Sequence, residues 1–404
     1  MYIERALEEA LDERLRQSKV VLVTGARQVG KTTMLRNHVA EGRAYVALDV
    51  ARDLALAQRD PEGFFDEHPL PVIVDEVQQA PDLFRQIKAL VDQDEEYGRV
   101  ILTGSQTYHL MKGVSESLAG RIGILEMAGL SLRELTCSTR HAPYVPGRVS
   151  AKDIVMPPEG FDLWSHIQRG SMPGLQNPTV DWDSYYSDYV GAYLERDVRD
   201  LINVRNEMKF YGFMVACAAR TGQLLNASDI SDTVGIDVKT VQSWISVLQA
   251  SGIVRILRPF WSNVDKRLAK TPKLYFMDTG LVCYLTRWTT PEALRNGAMS
   301  GHMFETFVVS EVLKSYMNAG GNVRDVWFYR DSRKREIDLV IQEGHVLHPV
   351  EVKTGFTVGT DAIKHFSVLD SLMGYEVGEG AVICQTKEPY LITRDVQAVP
   401  VWAI

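Results

Sequence analysis

The chain has 404 residues, more than one ordinary core accommodates, so several linked units are expected. Its 45% hydrophobic and 24% charged residues are ordinary for a globular protein, and no apolar run is long enough to cross a membrane. A net charge of −8 speaks against nonspecific whole-surface binding to nucleic acid and leaves only a local basic patch for that role.

The first segment, MYIERALEEALDERLRQ, mixes acids with bases and has no apolar h-region, so it reads as an amphipathic helix rather than a signal peptide. Cys137, Cys217, Cys283 and Cys384 lie far apart with no CxxC spacing, which speaks against a zinc site or a disulfide framework and fits a reducing cytoplasm.

Val20 to Val23 is a β-branched run of buried-strand type that leads into GARQVGKT, the spacing GxxxxGK[ST]. Gly25 and Gly30 let backbone N–H groups wrap phosphate oxygens at the start of a helix. Lys31 is placed for the β- and γ-phosphates of ATP, Thr32 for Mg²⁺, and Thr33 continues the same phosphate-binding turn. A second apolar strand, Pro71 to Val74, ends in Asp75-Glu76. Asp75 is expected to hold the magnesium through water, and Glu76 to orient or deprotonate the attacking water. The competing reading of these acids is a helix N-terminal charge pair. A third strand, Arg99 to Thr103, runs into Gly104-Ser105-Gln106, where Ser105 or Gln106 is a candidate γ-phosphate sensor. Three strands ending in polar residues imply a parallel sheet with its ligand at the carboxyl ends. Arg121, after Gly120, reads as an arginine finger, a sensor or an ordinary surface arginine.

Prolines and glycines at 143, 146, 147, 157, 158 and 160 interrupt this pattern and place a boundary nearby. Tyr185, Tyr189 and Tyr193 are spaced by four and share a helical face, more simply a packing stripe than a base-stacking platform. From Asn226, two short helices joined at Gly235 form a helix-turn-helix pattern. Asp237 caps the second, whose buried stripe is Val241, Trp244, Ile245 and Leu248, leaving Lys239, Gln242 and Ser243 outward. Lys266, Arg267, Lys270 and Lys273 are the expected wing. DNA binding and protein docking both fit this module.

Glu336 to Ile341 and Val346 to Lys353 alternate as a hairpin, read with Glu343-Gly344 as its turn. Glu336, Asp338, Glu351 and Lys353 then share one face, opposite Ile337, Leu339, Ile341, Val346, Val350 and Val352. Facing carboxylates repel, and a divalent cation resolves the repulsion in a metal-dependent nuclease. A solvated salt-bridge face is the alternative.

GARQVGKTT, DEVQ at 75–78, LTGS at 102–105, LAGR at 118–121, YLERD at 193–197, PKLYFMDTG at 272–280 and EVK at 351–353 together resemble a large prokaryotic family of AAA-type ATPases with a C-terminal domain of unknown function. The resemblance implies an α/β chain: a P-loop NTPase parallel sheet (1–150), a helical lid (151–210), a winged helix (211–290) and a domain similar to PD-(D/E)xK nucleases (300–404). Asp338, Glu351 and Lys353 resemble the nuclease signature, and Glu305 corresponds to its usual acid on the preceding helix. Glu336, two residues before Asp338, departs from a single metal-binding carboxylate. Ring-type relatives imply a homo-oligomer, with Arg121, Arg133 or Arg196 reaching a neighbour's γ-phosphate. The expected activity is Mg²⁺-dependent ATP hydrolysis coupled to DNA binding or cleavage. The alternative is an ATP-controlled switch or scaffold that binds a protein partner and carries an idle nuclease fold.

Overall fold

The computed structural model describes residues 2–104, 117–137, 142–149, 154–193, 207–261, 270–321 and 323–404. Two compact units result: Met1–Leu130 with Ala250–Gly252 and Met317–Gly321, and the remainder of the chain.

The first unit is an α/β fold around five parallel strands, β1 (Val20–Thr24), β2 (Ala44–Ala47), β3 (Val72–Asp75), β4 (Val100–Gly104) and β5 (Ile122–Glu126), in the order β2-β3-β4-β1-β5. Strands β1, β3 and β4 are buried along their whole length, which explains their continuous apolar runs: a parallel sheet is covered on both faces. One covering helix, Leu83–Gln93, buries Leu83, Phe84, Ile87 and Val91 against Leu22, Val74 and Leu102. The helix Pro61–Glu67 starts where Asp60 accepts from the Gly63 amide at 3.0 Å, with proline at a position that needs no amide donor, and it buries Phe64 and Phe65. Because all five strands run the same way, Thr24, Asp75 and Gly104 end at one edge of the sheet.

The main segment of the first unit runs to Leu130. Beyond it Arg133 is buried within the second unit, donating to the Ile404 carbonyl at 2.5 Å and the Ala142 carbonyl at 2.6 Å. The Leu132 amide likewise donates to Glu311 at 2.8 Å.

In the second unit, helices Glu207–Ala218, Ala227–Val234 and Val238–Ala250 pack beside an antiparallel sheet of β6 (Gln223–Leu224), β8 (Lys273–Phe276) and β7 (Val254–Leu257). Asn226 caps the second helix, Gly235 ends it in the left-handed conformation at φ 70°, and Asp237 accepts from the Thr240 amide at 2.9 Å to start the third. Val241, Trp244, Ile245 and Leu248 are buried, with the Trp244 ring 5.0 Å from Phe210 and 5.3 Å from Phe213. Lys239, Gln242 and Ser243 are exposed. Lys266 and Arg267 lie outside the described residues.

A seven-stranded mixed sheet follows: β9 (Val326–Arg330), β10 (Glu336–Glu343), β11 (Val346–Val352), β12 (Glu376–Val377), β13 (Gly380–Cys384), β14 (Tyr390–Thr393) and β15 (Val396–Pro400). Strands β10 and β11 form the expected hairpin with a corrected register. Glu343 pairs with Val346, so Gly344 and His345 make the turn. Gly344 takes φ 60°, the conformation that two-residue hairpins of the II′ type ask of their first residue. The slip is two residues, an even step, so the paired stretch Leu339 to Glu343 keeps its expected faces, whereas Ile337 leaves the face of Leu339 and Ile341. A bulge against β9 falls between Ile337 and Val340, which lets both enter one core cluster with Leu347 and Val382 and re-aims Asp338 beside them.

Candidate nucleotide site and carboxylate cluster

Gly25 sits at φ 144°, and a Cβ there would fall 2.1 Å from the Met127 carbonyl oxygen, so only glycine lets the loop pass β5. Gly30, at φ 96°, turns the chain into the helix Lys31–His38. The Lys31 ammonium is buried over the loop, 2.9 Å from the Gly25 carbonyl and 2.8 Å from that of Ala26. Thr33 is exposed on the first helical turn.

Thr32 Oγ1 donates to Asp75 Oδ2 at 2.7 Å, joining the phosphate-loop helix to the end of β3. Tyr45 donates to the same oxygen at 2.6 Å, and the Glu76 amide to Oδ1 at 3.1 Å. Burial, then the Asp75 carboxylate, pushes the Tyr45 hydroxyl up to about 12, so it remains a donor. Glu76 is a non-glycine residue at φ 58°, held there while Gln78 donates to its carboxylate. Such conformations persist where surrounding structure enforces them and cluster at functional sites. One hydroxyl and one carboxylate in contact are the hard-oxygen set that Mg²⁺ takes beside phosphates and water, so these residues fit that ion. Bound there, it would supply charge neutralisation at the phosphates.

Ser105, Gln106 and Arg196 lie outside the described residues. Arg121 lies at the opposite end of the sheet from the loop: its carbonyl accepts from Val20, at the start of β1, roughly 13 Å along the strand from Thr24. Its guanidinium is paired with Asp92. It cannot serve as a sensor for its own chain's nucleotide. Arg133 is buried and donates to backbone carbonyls.

The second cluster gathers the other expected residues. The Val352 amide donates to Asp338 Oδ2 at 2.9 Å, and Lys353 donates to Glu351 at 2.6 Å. Glu305, on the helix Ser300–Asn318, joins them. Burial, then Glu305 and Glu351, raises the Asp338 carboxyl well above the usual carboxylate range, and burial also raises Glu351. For Glu336, burial opposes ionisation, but Lys273 and Arg330 outweigh it and hold the carboxyl low.

Lys273, expected in a solvent-facing wing, is corrected to the floor of this cluster. It is 3% exposed and reaches Glu305 Oε1 at 2.9 Å and Glu336 Oε1 at 2.7 Å. Tyr275 donates to the same Glu305 oxygen at 2.6 Å. Among the described residues, no three His, Cys, Asp or Glu side chains converge to hold a metal ion. As placed, Asp338 Oδ2 is taken by the Val352 amide, Glu351 by Lys353 and Glu305 by Lys273, an arrangement that does not fit a divalent ion on these three acids.

Sequence reasoning also missed Arg5, which donates to the Val29 carbonyl of the phosphate loop at 2.7 Å and to the Ala128 carbonyl at 2.8 Å. It missed Asp278, buried at the start of the helix Thr279–Thr286, where Ser171, Tyr186 and Leu281 all donate to it. The tyrosine stripe pointed to the right helix, Trp182–Tyr193, and its Tyr189 is buried, but the most deeply buried ring is Tyr186, one residue off the predicted spacing. The PKLYFMDTG motif thus supplies Lys273 and Tyr275 to the acid cluster and Asp278 and Gly280 to this node. A Cβ at Gly280 would meet the Tyr186 hydroxyl at 2.3 Å.

Residues 17–136 match the AAA domain family, whereas 160–292 and 300–404 match two domains of unknown function (DUF8612 and DUF4143). Uncharacterized proteins of Mycobacterium tuberculosis and Mycobacterium bovis are each 26% identical over 404 residues, covering 99% of this chain and 84% of theirs. Among solved structures, a Walker-type ATPase of Pyrococcus abyssi is 15% identical, with a TM-score of 0.43 over 69% of this chain and 94% of that one. The Thermotoga maritima RuvB Holliday junction branch migration motor is 13% identical, with a TM-score of 0.28 over 62% of this chain and 88% of that one. The chain thus carries an AAA-type domain whose P-loop is built on a parallel α/β sheet.

Proposed function

We propose that the first unit binds and hydrolyses ATP with Mg²⁺. The contact between Thr32 and Asp75, beside a buried Lys31 on the loop carbonyls, carries this reading. Lys31 would exchange its carbonyl partners for the β- and γ-phosphates, and Asp75 would orient the ion. Glu76, fixed at the strand end, is the candidate to orient the attacking water. Ser105 remains the proposed sensor. Arg121 can act only on a neighbouring subunit, in a homo-oligomer. No helix among the described residues is long and apolar enough to cross a membrane, and a cytoplasmic setting is part of this proposal.

Two couplings follow. Exposed Lys239, Gln242 and Ser243 on one helix favour DNA contact through a winged helix. The lysine within the acid cluster favours the other: ATP controls a binding or assembly module whose nuclease-like domain is idle. ATP turnover with and without duplex DNA, alongside Mn²⁺-dependent cleavage by wild type and Asp338→Ala/Glu351→Ala, separates them. Cleavage lost with the carboxylates supports the nuclease coupling. No cleavage and no DNA stimulation supports the switch.

A further inference from the structure

Lys273 and Tyr275 are two apart on β8, so they project from the same strand face, and both end on Glu305. Lys273 also reaches Glu336, whose other oxygen is taken by Arg330, and Glu351 is taken by Lys353. Glu305, Glu336, Asp338 and Glu351 are therefore faced by three side-chain cations from β8, β9 and the end of β11. A buried ammonium is tolerated only among anions, and facing carboxylates only beside a cation. Each requirement answers the other.

We infer that Lys273 is the built-in counter-cation of the carboxylate cluster, holding Glu305 and Glu336 in the role a divalent ion was expected to fill. An ammonium on Glu305 repels a divalent ion shared by Glu305, Asp338 and Glu351, so the native cluster excludes the metal and removal of the ammonium admits it. The inference stands whether or not the first unit turns over ATP.

The test is Mn²⁺ binding to the nucleotide-free full chain, followed by electron paramagnetic resonance of the free ion. Wild type and Lys273→Met are each compared with the same protein carrying Asp338→Asn/Glu351→Gln, so that only sites depending on those acids are counted. Wild type should show no such site, and Lys273→Met should gain one at least roughly tenfold tighter than any wild-type binding. A carboxylate-dependent site in wild type as tight as that in Lys273→Met overturns the inference, and so does a folded Lys273→Met that gains none. Should Lys273→Met fail to fold, Lys273→Arg keeps the charge: a folded, Mn²⁺-free Lys273→Arg with a metal-free wild type supports it, and Mn²⁺ in either overturns it.

Discussion

Truncating Asp278 to alanine should destabilise the second unit more than any single surface change. The carboxylate is buried and accepts from the Ser171 amide at 2.7 Å, the Ser171 hydroxyl at 2.9 Å, Tyr186 at 2.6 Å and the Leu281 amide at 2.8 Å. After truncation Tyr186 can turn to the Arg169 carbonyl, 3.3 Å away, but the two amides have no second acceptor among these contacts. A buried unsatisfied donor costs about 1–3 kcal/mol, and with the lost helix cap the total comes to about 3–6 kcal/mol. Asp278→Asn keeps one acceptor oxygen but turns an amide nitrogen toward a donor, so about 1–3 kcal/mol is expected. Urea unfolding of the full chain measures both, and ATP affinity should change little because the node belongs to the second unit. A loss under about 1 kcal/mol for Asp278→Ala would refute this account of the node.

His166 gives a pH signature. Burial, then the Lys314 ammonium, lowers its pKa from 6.5 to about 3, while Phe161 and Phe307 cover the ring. The unfolded ring binds a proton below 6.5 and the folded one does not, so this stability is present above that pH and is lost as pH falls toward 3. Between pH 6.5 and 5, wild type should lose about 2 kcal/mol more than His166→Phe in urea unfolding; parallel pH profiles would contradict the assignment. Arg5→Ala removes a charged donor from the phosphate loop, and ATP affinity should fall roughly tenfold in a fluorescent-nucleotide titration. Unchanged affinity would reduce Arg5 to a packing residue.

Much of the candidate nucleotide site's local geometry was legible because its chemistry is local. A β-branched run, two glycines, a lysine and a threonine in fixed spacing dictate strand, loop and helix start, and an apolar strand ending in Asp75 dictates the neighbour. The partners that complete the site were not legible, because Arg5, Tyr45 and Met127 reach it across long stretches of chain. The hairpin was readable from its period of two, and a pairing register off by two residues kept the faces from Leu339 onward, but no period reveals the bulge that moves Ile337 into the cluster of Val340. Lys273 misled because a basic stretch after an apolar strand reads as a solvated wing. Only the pairing of β8 with β7 and its proximity to Glu305 turn that residue inward. Arg133 resembled a catalytic arginine, yet its partners, Ala142 and Ile404, are carbonyls that no spacing rule identifies.

The central claim is tested most directly by steady-state ATP hydrolysis across a Mg²⁺ titration, with wild type beside Lys31→Ala, Asp75→Asn and Glu76→Gln. Wild type should turn over only with Mg²⁺. Lys31→Ala should lose binding and turnover together, Asp75→Asn should shift the Mg²⁺ requirement upward, and Glu76→Gln should bind ATP but hydrolyse it at least roughly a hundredfold more slowly. Turnover that survives in Lys31→Ala, or that ignores Mg²⁺, would contradict the assignment of this loop as the site of hydrolysis.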